Sequence, residues 1–218
     1  MPLDVADRFR TDHLDGERLT ASFEAPTNWH VIAGAPSCGK TTLVDRLAAV
    51  GYRTVPEPAR AYLEGELVRG RTIDDLHEHP DSLQRTLADL QESVEKNLVD
   101  HEVMVLDSAL VSSMAWYRAF GLDPNEILPR CFHHRYATVF VLDPLPLDVD
   151  CIRFNDAALV SFLDRWITRD FVALGYDVMR VPVLSPEERL GFVIERLHSR
   201  RSPVARPSSP PRVPAGVH

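Results

Sequence analysis

The chain has 218 residues but no long apolar run, only three cysteines and no excess of basic residues. A helix that spans a bilayer needs about 20 consecutive apolar residues, and no stretch of this sequence approaches that length. The first nine residues include Asp4 and Asp7 and lack an apolar core, so we expect no signal peptide. The cysteines, Cys38, Cys131 and Cys151, are odd in number and widely spaced, which argues against a disulfide framework. We therefore expect a cytoplasmic protein in a reducing environment, without a membrane partner.

Acidic residues outnumber basic ones, with 32 Asp and Glu against 24 Lys and Arg and a formal net charge of −8. This balance disfavours broad electrostatic attachment to nucleic acid or to an anionic membrane. Hydrophobic residues make up 44% of the chain, and a chain of this length can form one α/β domain with a full core. We therefore expect a small-molecule substrate as the partner, and the sequence leaves open whether the chain forms a homodimer.

Between two polar ends, segments typical of strands and of helices alternate. Residues 1–27 are polar and weakly patterned and are predicted to form an N-terminal arm, whereas residues 199–218 are rich in proline and arginine, contain no acidic residue and are predicted to be a disordered tail. The alternation over residues 28–198 predicts a three-layer α/β domain, in which helices cover both faces of a five-stranded parallel sheet. The predicted strands cover residues 29–33, 52–55, 103–106, 138–142 and 177–181, and the predicted helices cover residues 42–50, 58–69, 82–99, 108–120, 156–174 and 186–198.

Residues 34–41, with the sequence GAPSCGKT, match the pattern G-x-x-x-x-G-K-[ST] at every fixed position, and we call this segment the P-loop. It lies between a predicted strand and a predicted helix, so its backbone N–H groups are expected to converge on a phosphate at a helix N-terminus. Lys40 is expected to reach the β- and γ-phosphates, and the Thr41 hydroxyl to ligate Mg²⁺. Cys38 lies at the same helix N-terminus, where a lowered thiol pKa is expected. The residues expected to contact the nucleotide, ATP or GTP, are Gly34, Ala35, Pro36, Ser37, Cys38, Gly39, Lys40, Thr41 and Thr42.

A second acidic signature follows the predicted third strand, where the apolar run VMVL ends in Asp107. At the carboxyl end of a strand beside the P-loop, this carboxylate is expected to hold Mg²⁺ together with Thr41, directly or through water. An alternative role for Asp107 or Ser108 is to cap the helix that begins near Ala109.

Glu57 follows the predicted second strand and lies between Pro56 and Pro58. The prolines restrict the backbone around it, and ligands of open α/β sheets bind along the edge to which it would project. Glu57 is therefore a candidate to accept a proton from a substrate hydroxyl or to hydrogen-bond a substrate, with a solvated loop acid as the alternative. Arg60, nearly one helical turn further on, is expected to bind substrate or to pair with Glu57.

A proline-containing loop over residues 143–153 follows the predicted fourth strand and precedes a long helix. We expect it to fold over the phosphates, with Arg153 supplying positive charge to the group in transfer. Arg165 and Arg169 on the next helix are further candidates, and a surface ion pair is the alternative for each of these arginines.

Five segments together resemble the AAA-type ATPase/NadR-like P-loop kinase family: GAPSCGKTT, GYRTVPEPAR, VMVLDS, DPLPLDVDCIRF and GYDVMRVPVLSPEERLGFVIERL. The resemblance covers about residues 28–198 and extends to the kinase domain of bifunctional NadR proteins and, more distantly, to deoxynucleoside kinases. It implies a kinase-like strand order 2-3-1-4-5, a mobile lid around Arg153, Glu57 as base or substrate anchor, and residues 182–185 near the adenine. Relatives commonly have Asp-Arg or Glu-Arg where this chain has Asp107-Ser108, so a cation expected near the phosphates is missing.

Three classes of function fit these features. The leading hypothesis is an ATP-dependent kinase that phosphorylates a small hydroxylated metabolite or a nucleoside, with Lys40, Glu57, Asp107 and Arg153 as its catalytic residues. A GTP-binding or ATP-binding regulatory NTPase is the second, but the only string similar to N-K-x-D, residues 97–100, lacks the lysine. The third is a protein that binds nucleotide without kinase activity, which Ser108 would permit.

Overall fold

Strands and helices alternate along the part of the chain that the computed structural model describes, residues 22–72, 75–76, 78–146 and 157–201. Two short 3-10 helices, Pro124–Glu126 and Leu128–Phe132, are inserted before the fifth strand. The strands are β1 (Ala25–Pro26), β2 (Trp29–Ala33), β3 (Thr54–Val55), β4 (Met104–Asp107), β5 (His134–Arg135), β6 (Thr138–Leu142) and β7 (Val178–Val181). The α-helices are α1 (Lys40–Ala49), α2 (Pro58–Val68), α3 (Pro80–Lys96), α4 (Ser112–Ala119), α5 (Ala157–Ala173) and α6 (Pro186–Arg201).

Five of the strands form one parallel sheet in the order β3-β4-β2-β6-β7. Numbered along the chain within this sheet, the order is 2-3-1-4-5, as the resemblance implied. The central strand β2 pairs with β4 on one side and with β6 on the other, so that Ile32 lies opposite both Asp107 and Phe140. Every residue of β2 and β6 is buried, because helices cover both faces of the sheet. The predicted three-layer α/β fold is confirmed.

Alternate residues of the central strands face opposite layers, as the two-residue period of a strand requires. Ile32 and Phe140 belong to a core cluster with α1 and α6, which supply Leu43, Leu47 and Val193. Their neighbours Val31 and Val139 belong to a second cluster on the other face, with α4 and α5. Because all five strands are parallel, their carboxyl ends meet at one edge of the sheet, where the segments that lead into the helices lie together.

The structure differs from the sequence prediction at the start of α4. We predicted a helix over residues 108–120, but α4 spans Ser112–Ala119. Ser108 has a φ of 73°, a left-handed conformation that an α-helix does not contain, so the helix begins only after the chain has turned. The backbone N–H of Ser108 donates to the carbonyl of Ile32 at 2.9 Å, which keeps this turn attached to β2.

Residues 22–27, which we assigned to an arm outside the domain, contact it. The Phe23 ring lies 5.3 Å from Phe132 and 5.5 Å from Tyr176, measured between ring centroids, and β1 pairs with β5 in parallel. A two-residue strand has no periodic pattern by which a sequence could reveal it. At the other end, α6 continues to Arg201, three residues past the predicted end. Residues 1–21 and most of the predicted tail, 202–218, lie outside the described residues.

No helix in the described part of the chain is both long and apolar enough to cross a membrane. The cytoplasmic location and the homodimer considered above stay predictions.

A buried ion pair joins α4 to α5. Arg118 Nη1 donates to Asp170 Oδ2 at 2.6 Å, the two side chains are 2% and 1% exposed, and the guanidinium lies 4.3 Å from the centre of the Trp166 ring. Burial raises the pKa of Asp170 to about 6, although Arg118 opposes the shift. Nε and Nη2 of Arg118 and Oδ1 of Asp170 have no hydrogen-bond partner among the described residues, so the cost of burying these charges is only partly offset.

Removing one member of this pair should therefore cost more than removing both. We expect Arg118→Met and Asp170→Leu each to lower the free energy of unfolding by about 3–5 kcal/mol, because each leaves a buried charge alone, and the double variant to lose much less. Urea denaturation at pH 7.5, above the pKa of Asp170 in the folded protein, measures all three variants. A double variant that loses the sum of the two single effects would contradict the prediction.

Candidate functional site

The P-loop connects the end of β2 to the start of α1 and depends on two glycines. Gly34 has a φ of +144°, and a Cβ placed on it would lie 2.8 Å from Cys38 Sγ and 3.0 Å from the backbone oxygen of Leu142. Gly39 has a φ of +89° and is the residue from which α1 begins. A side chain at Gly34 would clash and one at Gly39 would be strained, so both glycines of the motif are required by the backbone.

The N-terminus of α1 is open to an anion. Its N-cap residue, Gly39, supplies no side-chain cap, and its first turn contains no acidic residue, so the backbone N–H groups at this end carry the positive end of the helix dipole without a carboxylate to neutralise it. The ammonium of Lys40 folds back beneath the loop, where Nζ donates to the carbonyls of Gly34 at 3.0 Å and Ala35 at 3.1 Å. The loop can therefore hold a phosphate between backbone N–H groups and a cation.

The structure brings Thr41 and Asp107 together, as the sequence predicted for a magnesium site. The Thr41 hydroxyl donates to Asp107 Oδ2 at 2.9 Å, and Asp107 is 3% exposed. Its other oxygen, Oδ1, is buried without a hydrogen-bond partner among the described residues. A hydroxyl beside a carboxylate with a free oxygen is a donor set that suits Mg²⁺. The alternative role as a helix cap does not apply to Asp107, because α4 begins five residues later.

Glu57 lies where β3 passes into α2 and is half-buried rather than free in solvent. It is the residue before the first turn of α2, with φ −65° and ψ 116°, and Pro58 occupies the first helical position. The two prolines on either side restrict the backbone that carries this carboxylate. The backbone at Glu57 is therefore restricted and its side chain is partly shielded from solvent, and its role in substrate binding stays a prediction.

Neighbouring charges shift the pKa values of Lys40, Glu57 and Asp107 at this edge of the sheet. Burial raises the pKa of Glu57, and the nearby carboxylate of Asp107 adds to this shift while Lys40 and Arg60 oppose it. Burial likewise raises the pKa of Asp107, against the charges of Lys40 and Arg60 and the hydrogen bond from Thr41. For Lys40, burial works to lower the pKa, but Cys38, Glu57 and Asp107 together raise it and the net shift is upward. Lys40, Glu57, Arg60 and Asp107 thus form one electrostatic cluster.

Arg189 is a residue of the site to which the sequence analysis assigned no role. It lies in the first turn of α6, is 4% exposed, and its guanidinium donates to three backbone carbonyls: Cys38 at 2.6 Å, Pro182 at 3.0 Å and Asp143 at 3.1 Å. The only sequence signal was its inclusion in the segment that resembles the family. Every residue has a backbone carbonyl, so the sequence does not show which carbonyls accept hydrogen bonds from Arg189. These contacts could therefore not be predicted from residue spacing.

A cavity of about 200 Å³ lies beside the P-loop, between the start of α1 and the segment that leads into α6. Residues 182–185, which the resemblance placed near the adenine, contribute Leu184 to it. A larger cavity of about 350 Å³ lies at the opposite edge of the sheet, around Tyr136 and Tyr176, away from the loop. The smaller cavity is lined by Gly39, Thr42, Leu43, Leu145, Leu184, Pro186 and Arg189.

The expectation about the Cys38 thiol is wrong, and the roles predicted for Arg165 and Arg169 stay predictions. We expected the helix N-terminus to lower the thiol pKa of Cys38, but burial raises it, and the side chain is fully buried. The guanidinium groups of Arg165 and Arg169 lie over aromatic rings of their own helix, 6.0 Å from Phe162 and 4.8 Å from Trp166. Arg153 lies outside the described residues.

Comparison with known proteins agrees with this geometry. A family model described as AAA domain (AAA_28) matches residues 29–189. The chain belongs to this AAA-domain family. The comparison with curated proteins found no match to this chain.

Several solved structures of P-loop kinases are similar to this AAA-domain protein. A NadR protein in complex with NR is 19% identical with a TM-score of 0.57, and the match covers 79% of this chain and 49% of that one. A NadR protein in complex with NAD and AMP-PNP is 21% identical with a TM-score of 0.55, over 84% and 52% of the two chains. The chain thus spans about half the length of the NadR proteins. Deoxyadenosine kinase from M. mycoides is 13% identical with a TM-score of 0.53, over 79% of this chain and 100% of that one. At these identities the likeness establishes the P-loop kinase fold.

The requirement for glycine at position 34 can be tested with a matched pair of substitutions. Gly34→Ala should destabilise the protein by about 1–3 kcal/mol, because the added methyl group clashes with Cys38 and Leu142. Gly65→Ala, in the middle of α2 where a Cβ meets nothing within 4 Å, should instead stabilise it by about 0.5–1 kcal/mol. Thermal and urea denaturation measure both variants, and equal effects at the two positions would refute this account of the P-loop.

Proposed function

We propose that this protein is an ATP-dependent kinase that transfers a phosphoryl group to a small hydroxylated metabolite, such as a nucleoside. The observation that carries the proposal is the single cluster in which the P-loop lysine, the Thr41–Asp107 pair and the carboxylate of Glu57 meet at one sheet edge. Phosphoryl transfer needs positioning and charge stabilisation more than reactive side chains, and the cluster contains the groups for both.

On the nucleotide side, backbone N–H groups at the start of α1 bind the phosphates and Lys40 neutralises them. The ammonium of Lys40 is protonated at neutral pH, since its pKa is raised despite burial. Thr41 and Asp107 would hold Mg²⁺, which when bound supplies positive charge beside the phosphate oxygens. The free Oδ1 of Asp107 supports this assignment.

The cavity of about 200 Å³ beside Gly39 is suited to the base of the nucleotide. Leu43, Leu145 and Leu184 supply apolar walls for a planar ring, and the cavity adjoins the P-loop as a base joined to bound phosphates must. Its walls include no carboxylate among the described residues, so we propose ATP as the donor and treat GTP as the alternative to be compared with it.

On the acceptor side, Glu57 would take the proton of the attacking hydroxyl. Its raised pKa makes it a stronger base than an exposed glutamate. Arg60 acts electrostatically on Lys40, Glu57 and Asp107, so it is the described cation best placed to compensate for the serine at position 108. Arg153, outside the described residues, stays our candidate for a further positive charge over the transferred group.

A nucleotide-binding protein without transfer, or a regulatory NTPase, is the second candidate. It is favoured by Ser108, which has a short, uncharged side chain and a φ of 73°. The family resemblance leads us to expect an arginine at this position. The two candidates differ in whether an acceptor is consumed. A screen of nucleosides, sugars and vitamins, with ATP and GTP compared as donors, decides between them: phosphorylated product supports the kinase, and tight nucleotide binding without product supports the second candidate.

Lys40→Ala should lower the affinity for ATP at least tenfold, about 1.4 kcal/mol, and abolish turnover, because the half-buried cation proposed to face the phosphates is lost. Lys96→Ala is the matched control, since Lys96 is the other lysine of the chain, is itself exposed and forms an ion pair with Glu92. Calorimetric titration with ATP measures both variants. Unchanged ATP affinity in Lys40→Ala would remove the basis for a P-loop site.

Glu57→Gln should lower kcat by about 10²–10⁴ with little change in ATP affinity. The base must be deprotonated to act, so wild-type kcat/KM should fall as the pH drops through the pKa of Glu57, which lies above the ordinary 4.5. The variant should lack this acidic limb. Glu64→Gln, exposed on the same helix, is the control. If Glu57→Gln weakens ATP binding as much as it slows transfer, Glu57 belongs to the nucleotide site.

A further inference from the structure

We propose that Arg189 is a positioning residue that orients the Cys38–Gly39 peptide group of the P-loop, an inference that rests on the proposed binding of phosphate at that loop. Arg189 lies about 150 residues further along the chain than the loop, yet its Nη1 donates to the Cys38 carbonyl at 2.6 Å. This is a long-range contact to the backbone of the loop itself, and its acceptor is the peptide group that contains the N–H of Gly39.

Peptide geometry explains why holding that carbonyl matters. A trans peptide group is planar, and its C=O and N–H point in opposite directions; the described part of the chain contains no cis peptide bond. When Arg189 holds the carbonyl of Cys38, the N–H of Gly39 is directed away from the guanidinium and is kept available to a phosphate. The guanidinium also lies close to Gly39 itself, since a Cβ built on this glycine would be 3.4 Å from Arg189 Nη1.

The peptide group needs such a restraint because it adjoins a glycine. Gly39 has a φ of +89°, and glycine has more accessible backbone conformations than any other residue. The same freedom that permits this conformation would also permit the peptide group to rotate. A hydrogen bond from a charged donor, which is stronger than one between neutral groups, opposes that rotation.

Arg189 is itself held by the sheet. Its Nε donates to the carbonyl of Pro182, directly after β7, and its Nη2 to the carbonyl of Asp143, directly after β6. These two segments are joined to each other, since the N–H of Asp143 donates to the carbonyl of Val181 at 2.9 Å. The guanidinium thus connects the P-loop to two strand ends, and the rigid geometry of the sheet positions the loop.

Among the described residues, the buried guanidinium of Arg189 bonds to backbone carbonyls and forms no ion pair with a carboxylate. Lysine would keep the charge but has no planar fork with which to reach three separate carbonyls. Substitution by lysine therefore separates the effect of charge from the effect of orientation.

The test compares Arg189→Met, Arg189→Lys and the control Arg196→Met with the wild type. Arg196 lies on the same helix, with its guanidinium 3.3 Å from the centre of the Phe192 ring and one hydrogen bond to the Phe192 carbonyl. Two quantities are measured at a temperature where every variant is folded: the affinity for ATP and for inorganic tripolyphosphate, and amide hydrogen exchange of residues 34–41 without ligand, with β2 as the internal reference.

We expect Arg189→Met to weaken binding of both ligands at least tenfold and to speed exchange in the P-loop but not in β2. Arg189→Lys should recover part of the affinity but not the slow exchange, and Arg196→Met should match the wild type. The proposal is overturned if Arg189→Met binds ATP within twofold of the wild type, or if hydrogen exchange in the P-loop is unchanged in that variant. If Arg189→Met does not fold, unchanged P-loop exchange in Arg189→Lys overturns the proposal. If the wild type binds neither ligand, the proposed function fails, and hydrogen exchange alone decides the role of Arg189.

Discussion

The pairing of β2 between β4 and β6 is the constraint on which the site depends. Because Ile32 lies opposite Asp107 in the parallel register, the loop that leaves β2 begins beside the carboxylate that ends β4. On the other side β6 brings the backbone of Leu142 so close that only glycine fits at position 34. Shifting the β2–β4 register by one residue would separate Thr41 from Asp107, and shifting either register would move buried side chains to the wrong face of the sheet.

Charges at this edge are arranged unequally around the loop. Glu57 and Asp107 lie within electrostatic reach of Lys40, and burial weakens the acidity of both carboxyl groups. Arg189 lies at the loop with only carbonyl partners among the described residues. Lys40 and Arg189 are thus bonded to backbone carbonyls, whereas Glu57 and Asp107 have raised pKa values. If the proposed function holds, this arrangement would suit an anionic ligand accompanied by a divalent cation.

Particular elements show how far sequence patterns reach. The strands β2 and β6 occupy the predicted residues, because each is an uninterrupted apolar run that is buried on both faces and bounded by turn residues. The helix α4 begins later than predicted, since the left-handed turn at Ser108 depends on contacts with β2 rather than on local propensity. The pairing of β1 with β5 escaped notice because each strand has two residues. The position of Cys38 at a helix N-terminus predicts a lowered thiol pKa. Its pKa is instead raised by burial, which depends on packing against the sheet.

The sequence by itself determined the phosphate-binding loop, the order of strands and helices, and the acids Glu57 and Asp107 at strand ends. These follow from glycines, prolines and apolar periods that act over a few residues. Only the tertiary structure decided that Thr41 and Asp107 touch, that one oxygen of Asp107 is buried without a hydrogen-bond partner among the described residues, and that Arg189 bonds to the loop. Those contacts join residues 66 and 151 positions apart, and the pairing of the strands decides which residues meet. A pattern over a few neighbouring residues cannot predict such contacts, because it contains no information on a distant backbone carbonyl.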